Sequence, residues 1–172
     1  MSSLYTLKES GYLKLRFSLP SSWREFVKNE DYEKLYQEAQ KEMHSSGILG
    51  AKLFEVYQEC KIEEAHWELM LAKRRGPQDP EEDGIWHDDG SRNLAFSLSL
   101  NEHPEEISGG ELCLRPKAEP HKVTQLSTLP WGEAYLFATG KLNWEHRISL
   151  VSIGNRLVLV AWITDGKEGE NP

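Results

Sequence analysis

The chain has 172 residues and a mass of 19.8 kDa, enough for one domain with a real core or at most a compact domain carrying a helical extension. Its formal charge of −8 would repel a phosphate backbone, which argues against nucleic acid and favours a small-molecule or peptide substrate. No apolar run approaches the roughly 20 residues of a membrane-spanning helix, and the first residues, MSSLYTLKESGY, lack the basic start and apolar core of a signal peptide, so a cytoplasmic protein is expected.

Taken in order, Tyr12 to Leu19 alternates imperfectly and stops at Pro20, which predicts a strand with its proline at the exit. Ser22 and Glu25 have the spacing of a capping box, and Trp23, Phe26, Val27, Tyr32, Leu35, Tyr36, Ala39 and Met43 follow at steps of mostly three or four. That spacing predicts an amphipathic helix, or two in succession, ending near Ser45-Ser46-Gly47. A further helix is expected from about Ala51 to Cys60, with Leu53, Val56 and Tyr57 on one face. From His66 the texture changes to short pieces separated by Gly, Pro, Asp and Asn. Strands are predicted near Trp67–Lys73, Leu94–Leu100, Glu111–Leu114, Ala134–Phe137, His146–Val151 and Arg156–Ile163. Helices first and strands afterwards give an α+β protein whose β part is a sandwich or barrel. The acidic segments 78–83 and 102–106 read as solvated connections, and 165–172 as a disordered tail. Cys60 and Cys113 have no second thiol near them in sequence and read as ordinary reduced thiols.

The segment Ile85-Trp86-His87-Asp88-Asp89-Gly90 raises the question of a metal site. Two histidines and a carboxylate on one face of a metal form a facial triad, whose open positions suit non-haem Fe(II). A His-x-acid pair is weak evidence by itself. With 28 acidic residues in 172, six histidines give about one such pair by accident, and the chain has three: His66/Glu68, His87/Asp89 and His103/Glu105. Context separates them. On a strand, residues i and i+2 share a face, so a pair there can chelate from one side while the third ligand comes from a distant strand. His87/Asp89 precedes the run Leu94 to Leu100, and His146 lies 57 residues past Asp89 at the head of another predicted strand. Gly154-Asn155 then makes a turn, and Arg156 opens the returning strand. Across that turn Arg156 is expected opposite Val151, roughly 16 Å along the strand from His146. The gap left after the guanidinium reaches back suits a small dicarboxylate, chelated at one end and forked by arginine at the other. Asp88 is expected on the opposite face from the ligands.

These residues, together with Leu98-Ser99-Leu100-Asn101, Gly109-Gly110-Glu111-Leu112, Gly132 to Phe137 and Trp162, stand in the order and spacing of a known family. From about Trp67 to Ile163 the sequence resembles the Fe(II)- and 2-oxoglutarate-dependent oxygenase superfamily, most closely its prolyl-hydroxylase-like members. The resemblance implies a double-stranded β-helix, or jelly roll (66–164), with a strand and helices from 1–65 packed on the larger sheet. It assigns His87, Asp89 and His146 to Fe(II) and Arg156 to the far carboxylate of 2-oxoglutarate. Ser99 takes the place of a tyrosine that often adds a second hydrogen bond there. A tyrosine common before the His-x-Asp corner is also missing, with Lys73-Arg74-Arg75 near its place, and Val158 stands where other members carry Ser or Thr. The implied reaction consumes O2, decarboxylates 2-oxoglutarate to succinate and CO2, and hydroxylates an unactivated C–H bond. Asp89 argues against the halogenating branch. Trp162, where nucleic-acid demethylases carry a second arginine, argues against DNA or RNA repair.

The resulting expectation is a hydroxylase acting on an amino-acid side chain in a protein or peptide, or on a free amino acid-like molecule. The competing readings are a regulatory module that binds metal and 2-oxoglutarate without turnover, and a cupin-like metalloprotein in which Arg156 has no task. Neither the substrate nor the oligomeric state is legible, because specificity in such folds resides in loops.

Overall fold

The computed structural model describes residues 3–62, 65–79 and 84–166. The acidic run 80–83 and the tail from 167, read from the sequence as loop and disordered end, lie outside them.

Four helices precede most of the strands. α1 (Ser3–Ser10) was not expected: its one buried residue, Leu7, gives no periodic signal. After β1 (Tyr12–Arg16), the spacing resolves into two helices in succession, α2 (Ser21–Lys28) and α3 (Tyr32–Glu42), with Glu30 between them at a positive φ of 55°. The capping box at Ser22 does not form. Pro20 holds the N-cap position with φ −57° and no side-chain cap, while Ser22 lies inside the helix. Asp31 caps α3 instead, accepting from the Lys34 backbone N–H. α4 (Ile48–Glu59) starts three residues earlier than predicted, where Glu42 accepts a hydrogen bond from the Ile48 N–H at 2.6 Å.

Seven further strands follow: β2 (Ala65–Arg75), β3 (Leu94–Ser99), β4 (Leu112–Pro116), β5 (Thr124–Leu126), β6 (Glu133–Ala138), β7 (Trp144–Ile148) and β8 (Asn155–Asp165). β5 has three residues and was missed. Asp165, placed in the tail from the sequence, closes β8 opposite Ala65. The strands form two antiparallel sheets, of order β1-β6-β3-β8-β2 and β5-β4-β7. β7 and β8 therefore do not make a hairpin. Each pairs within its own sheet, and Arg156 lies opposite Arg74 of β2 rather than Val151.

Period-two alternation assigns each residue of the larger sheet to one of two layers. Leu94, Phe96 and Leu98 of β3, Ala134 and Leu136 of β6, and Leu157, Leu159, Ala161 and Ile163 of β8 share one buried cluster with Trp23, Leu35, Leu49 and Leu53 of the helices. Their neighbours Ala95, Tyr135 and Phe137 join Leu112 and Leu114 of the smaller sheet in a second cluster. The helices thus cover the outer face of the larger sheet, and the smaller sheet packs on its inner face. Among the described residues, no helix is long and apolar enough to cross a membrane.

Phe96 sits at the centre of the outer cluster, fully buried and edge-on to Phe17 at 5.6 Å. Phe96→Ala is expected to cost about 3–5 kcal/mol in urea denaturation.

Candidate metal and anion site

His87, Asp89 and His146 come together, with one donor atom from each within 4.8 Å of the others. His87 lies in an isolated bridge rather than on a strand. It exchanges two backbone hydrogen bonds with His146 of β7, at 3.0 and 2.8 Å. Asp89 does not share its face by strand alternation either. It adopts a left-handed φ of 57°, a conformation that Asp tolerates better than most residues, and this turns its carboxylate back between the two imidazoles. The Nε2 atoms of His87 and His146 lie 3.5 and 3.4 Å from its two oxygens.

The residues that hold these groups were only partly legible. Trp86, next to His87, meets the guanidinium groups of Arg115 at 4.2 Å and Arg147 at 4.9 Å from its ring, which pins the segment to β4 and β7. The indole N–H of Trp162 donates to Asp89 Oδ2 at 3.1 Å. Thr139 donates to the Asp88 carbonyl at 2.6 Å, and its oxygen lies 3.4 Å from His146 Nδ1. The Asp88 carboxylate turns away, accepting from the Gly90 N–H at 2.9 Å and pairing with Lys117.

Donor chemistry can be read from the second nitrogen of each ring. His87 Nδ1 lies 3.0 Å from the Ile85 carbonyl, which can only accept, so Nδ1 carries the proton and Nε2 presents a lone pair to the Asp89 side. His146 repeats the arrangement, with Nδ1 on the Thr139 oxygen. Burial pushes the His146 imidazolium down to about 4, against the opposing pull of the Asp89 carboxylate, so this ring is neutral near pH 7. Two imidazole nitrogens and one carboxylate suit a divalent cation, and the two His–Asp separations of 3.5 and 3.4 Å are close to the roughly 3.0–3.4 Å that bonds of about 2.1 Å at roughly 90–110° place between donors.

A cavity of about 100 Å³ connects this cluster to Arg156, which is 6 % exposed. His87, His146 and Trp162 line it near the cluster, Arg156 and Arg74 line it six residues back along β8, and Ser97 and Val160 lie between. The volume suits a small polar molecule. Gly110, at φ 75°, leaves room for the arginine; a Cβ there would come within 2.6 Å of Arg156 Cδ. A larger cavity of about 650 Å³ lies by α2 and the turn at 154–155, away from the cluster, and two of the cations that line it are paired with acids of the same lining: Arg24 with Glu102 at 2.5 Å and Lys73 with Glu30 at 2.9 Å.

Ser99 makes three hydrogen bonds within the fold. Its hydroxyl donates to the Leu129 carbonyl at 2.5 Å and accepts from both the N–H and the side-chain amide of Asn101. Its proton is therefore donated within the fold, although Ser99 lines a small cavity together with Arg156; Ser97, one step nearer the cluster on the same face, lines both that cavity and the one at the cluster.

The sequence matches the family model of the 2OG-Fe(II) oxygenase superfamily over residues 78–164. It is 35% identical over 81 residues to a PKHD-type hydroxylase of Prochlorococcus marinus (strain MIT 9313) and 33% identical to a second from strain MIT 9303. Each match takes in 47% of this chain and 33% of the relative, so the chain spans about a third of the length of the curated relatives it matches. Among solved structures, the fold is similar to a Pseudomonas putida prolyl-4-hydroxylase (TM-score 0.67, 18% identity, 98% of this chain and 92% of that one). It is also similar to a viral collagen prolyl hydroxylase from Paramecium Bursaria Chlorella virus-1 with bound 2OG (TM-score 0.62, 16% identity, 94% and 99%). A third is a Trichoplax adhaerens prolyl hydroxylase in complex with a hypoxia inducible factor oxygen degradation domain peptide fragment (TM-score 0.61, 18% identity, 96% and 88%).

Ser99→Ala is expected to lower stability by about 1–3 kcal/mol in urea denaturation, because it strips a buried carbonyl and a buried amide of their partner. Its 2-oxoglutarate affinity should stay within about twofold of wild type, as measured by equilibrium binding.

Proposed function

Because the chain belongs to the 2OG-Fe(II) oxygenase superfamily, we propose that it is a 2-oxoglutarate-dependent hydroxylase built on a double-stranded β-helix and acting as one domain. In this reading His87, Asp89 and His146 hold Fe(II), and Arg156 holds the far carboxylate of 2-oxoglutarate. The observation that carries it is the pair of imidazoles with Nδ1 protons committed to oxygens and Nε2 lone pairs converging on one carboxylate.

When bound, iron, 2-oxoglutarate and O2 supply the oxidation, in which decarboxylation of the oxo acid is coupled to hydroxylation of a C–H bond. The chain's own contribution is positional. Trp162 holds one oxygen of Asp89 and so fixes the carboxylate plane, while Thr139 and the Ile85 carbonyl fix the ring tautomers. Arg156, buried against Gly110, offers two parallel donors to a carboxylate at the inner end of the cavity. Phe137, Val160 and Ile148 give the cavity apolar walls that exclude water. Met70 and Ile85, 42 % and 72 % exposed, line the same cavity and offer an apolar lip for the prime substrate. We take that substrate to be an amino-acid side chain in a peptide or protein, or a free amino acid-like molecule. The peptide-bound Trichoplax neighbour supports the first. The two unpaired cysteines support a cytoplasmic setting.

Anaerobic addition of Fe(II) and 2-oxoglutarate should produce a weak visible charge-transfer band, and admission of O2 should release succinate. Asp89→Ala should abolish the band and Asp88→Ala should retain it; a wild-type protein without the band would sink the proposal. Trp162→Phe keeps the ring and removes the N–H, so Fe(II) affinity should fall roughly 10–100-fold in an anaerobic metal titration.

A further inference from the structure

We propose that the space enclosed by the end of α3, one face of α4 and the start of β2 is a binding site for a small neutral molecule, with a ring-sized apolar body and one hydrogen-bond acceptor that the Tyr57 hydroxyl meets. The site lies in the outer, helical layer, where Met43, Tyr57, Ile62 and Trp67 join the larger cluster. It does not depend on the function proposed above.

Helical spacing builds one wall. Gly50, Phe54 and Tyr57 stand at steps of four and three and so share a face of α4. Across a cavity of about 170 Å³ they meet Met43, just past α3, and Trp67 of β2. Lys61, at a left-handed φ of 59°, turns the chain back after α4, and Ile62 then joins the lining while its N–H donates to the Tyr57 carbonyl at 2.9 Å. Among the described residues, no lysine, arginine or carboxylate lines the space, so an ion would lose its hydration there without a counter-charge. The volume suits one ring rather than a peptide segment.

Tyr57 supplies the polar anchor. The residue is 6 % exposed, and its hydroxyl is closed to solvent without a hydrogen-bond partner. Among the described residues that line the cavity, it is the one side-chain polar atom in that state. Burial raises the phenol above its ordinary pKa, so it stays a protonated donor around neutral pH. Such a group loses hydration and gains nothing in exchange, whereas phenylalanine would fill the same space without that cost. A carbonyl entering through the cavity supplies the missing acceptor. Phe54 marks the entrance: it is 44 % exposed and separates the cavity from an outer groove of about 470 Å³, into which its ring can turn.

The test uses two probes followed by titration in protein NMR spectra: acetophenone, a phenyl ring with one carbonyl, and ethylbenzene, of nearly the same shape without an acceptor. Acetophenone should bind the wild type saturably with a Kd on the order of 1 mM. Tyr57→Phe should weaken acetophenone about 3–10-fold and leave ethylbenzene within about twofold. Without a probe, the same variant should melt at the wild-type temperature or about 2–4 °C above it, the reverse of what loss of a satisfied hydroxyl gives. Ala65→Leu, which fills the cavity from β2 and leaves Tyr57 in place, should abolish saturable binding of both probes; if it does not fold, the Tyr57→Phe comparison decides alone. Acetophenone that fails to saturate, binds the wild type and Tyr57→Phe equally, or still binds folded Ala65→Leu overturns the inference. So does a Tyr57→Phe variant that melts several degrees lower or does not fold, because the hydroxyl would then already have its partner within the protein.

Discussion

The hydrogen bond from Trp162 to Asp89 is the point on which the site depends, because it joins two sheets that have no strand in common. Trp162 belongs to the inner face of β8 in the five-stranded sheet. Asp89 follows His87, whose backbone is bridged to His146 of β7 in the three-stranded sheet. This indole N–H at 3.1 Å, together with Thr139 just past the end of β6, ties the layer that carries the arginines to the layer that carries a histidine. Arg92, stacked on Trp162 at 5.0 Å and paired with Glu68 at 2.9 Å, holds the indole from its other side. The distance between the metal cluster and Arg156 is set by six residues of one strand, an element whose two faces are both buried and whose register is therefore strongly specified.

Burial on both faces also explains why the larger sheet tolerates so many polar groups inward. Ser97, Ser99, Asn101 and Arg156 are all buried, yet each lies on or beside the inner face, where the helical core does not reach. Asn101 closes the end of β3 by accepting from the Leu157 N–H at 2.8 Å and donating to Ser99, so the strand end needs no further partner. The outer face carries no such groups in β3, β6 or β8. Stability is concentrated in the helical layer and chemistry in the layer between the sheets, and the alternation of a single strand divides the two.

Much of this division was readable in the sequence, because alternation is local. Leu94-Ala95-Phe96-Ser97-Leu98-Ser99 announces a strand and names its two faces, and the order of His87, Asp89, His146 and Arg156 locates the functional end of the chain. What escaped was whatever depends on pairing between distant segments. The hairpin expected across Gly154-Asn155 assumed that consecutive strands are neighbours, whereas here they enter different sheets, so the partner of Arg156 became Arg74. Asp89 was expected to share a strand face with His87; a left-handed backbone achieves the same convergence by another route. The contact of Ser99 was not legible either, because nothing local predicts that the Leu129 carbonyl, 30 residues on, will take its proton. The same holds at Ser22, where the spacing of a capping box was present and Pro20 determined the start of the helix.

The asymmetry of the two imidazoles then orients the chemistry. His146 is buried, with Phe137 edge-on at 5.0 Å and Thr139 behind it, whereas the side chain of His87 is 54 % exposed and faces the lip formed by Ile85 and Met70. Thr139 and Trp162 close the cluster on two sides, and it opens toward the cavity and the lip. Inward, the cavity leads to the buried Arg156, so positive charge lies at its inner end. The remaining direction, past His87, is the one lined by exposed apolar side chains. An apolar lip makes dispersion contacts without fixing a charge, so discrimination at such a mouth falls to the segments that border it rather than to the His–Asp–His cluster itself.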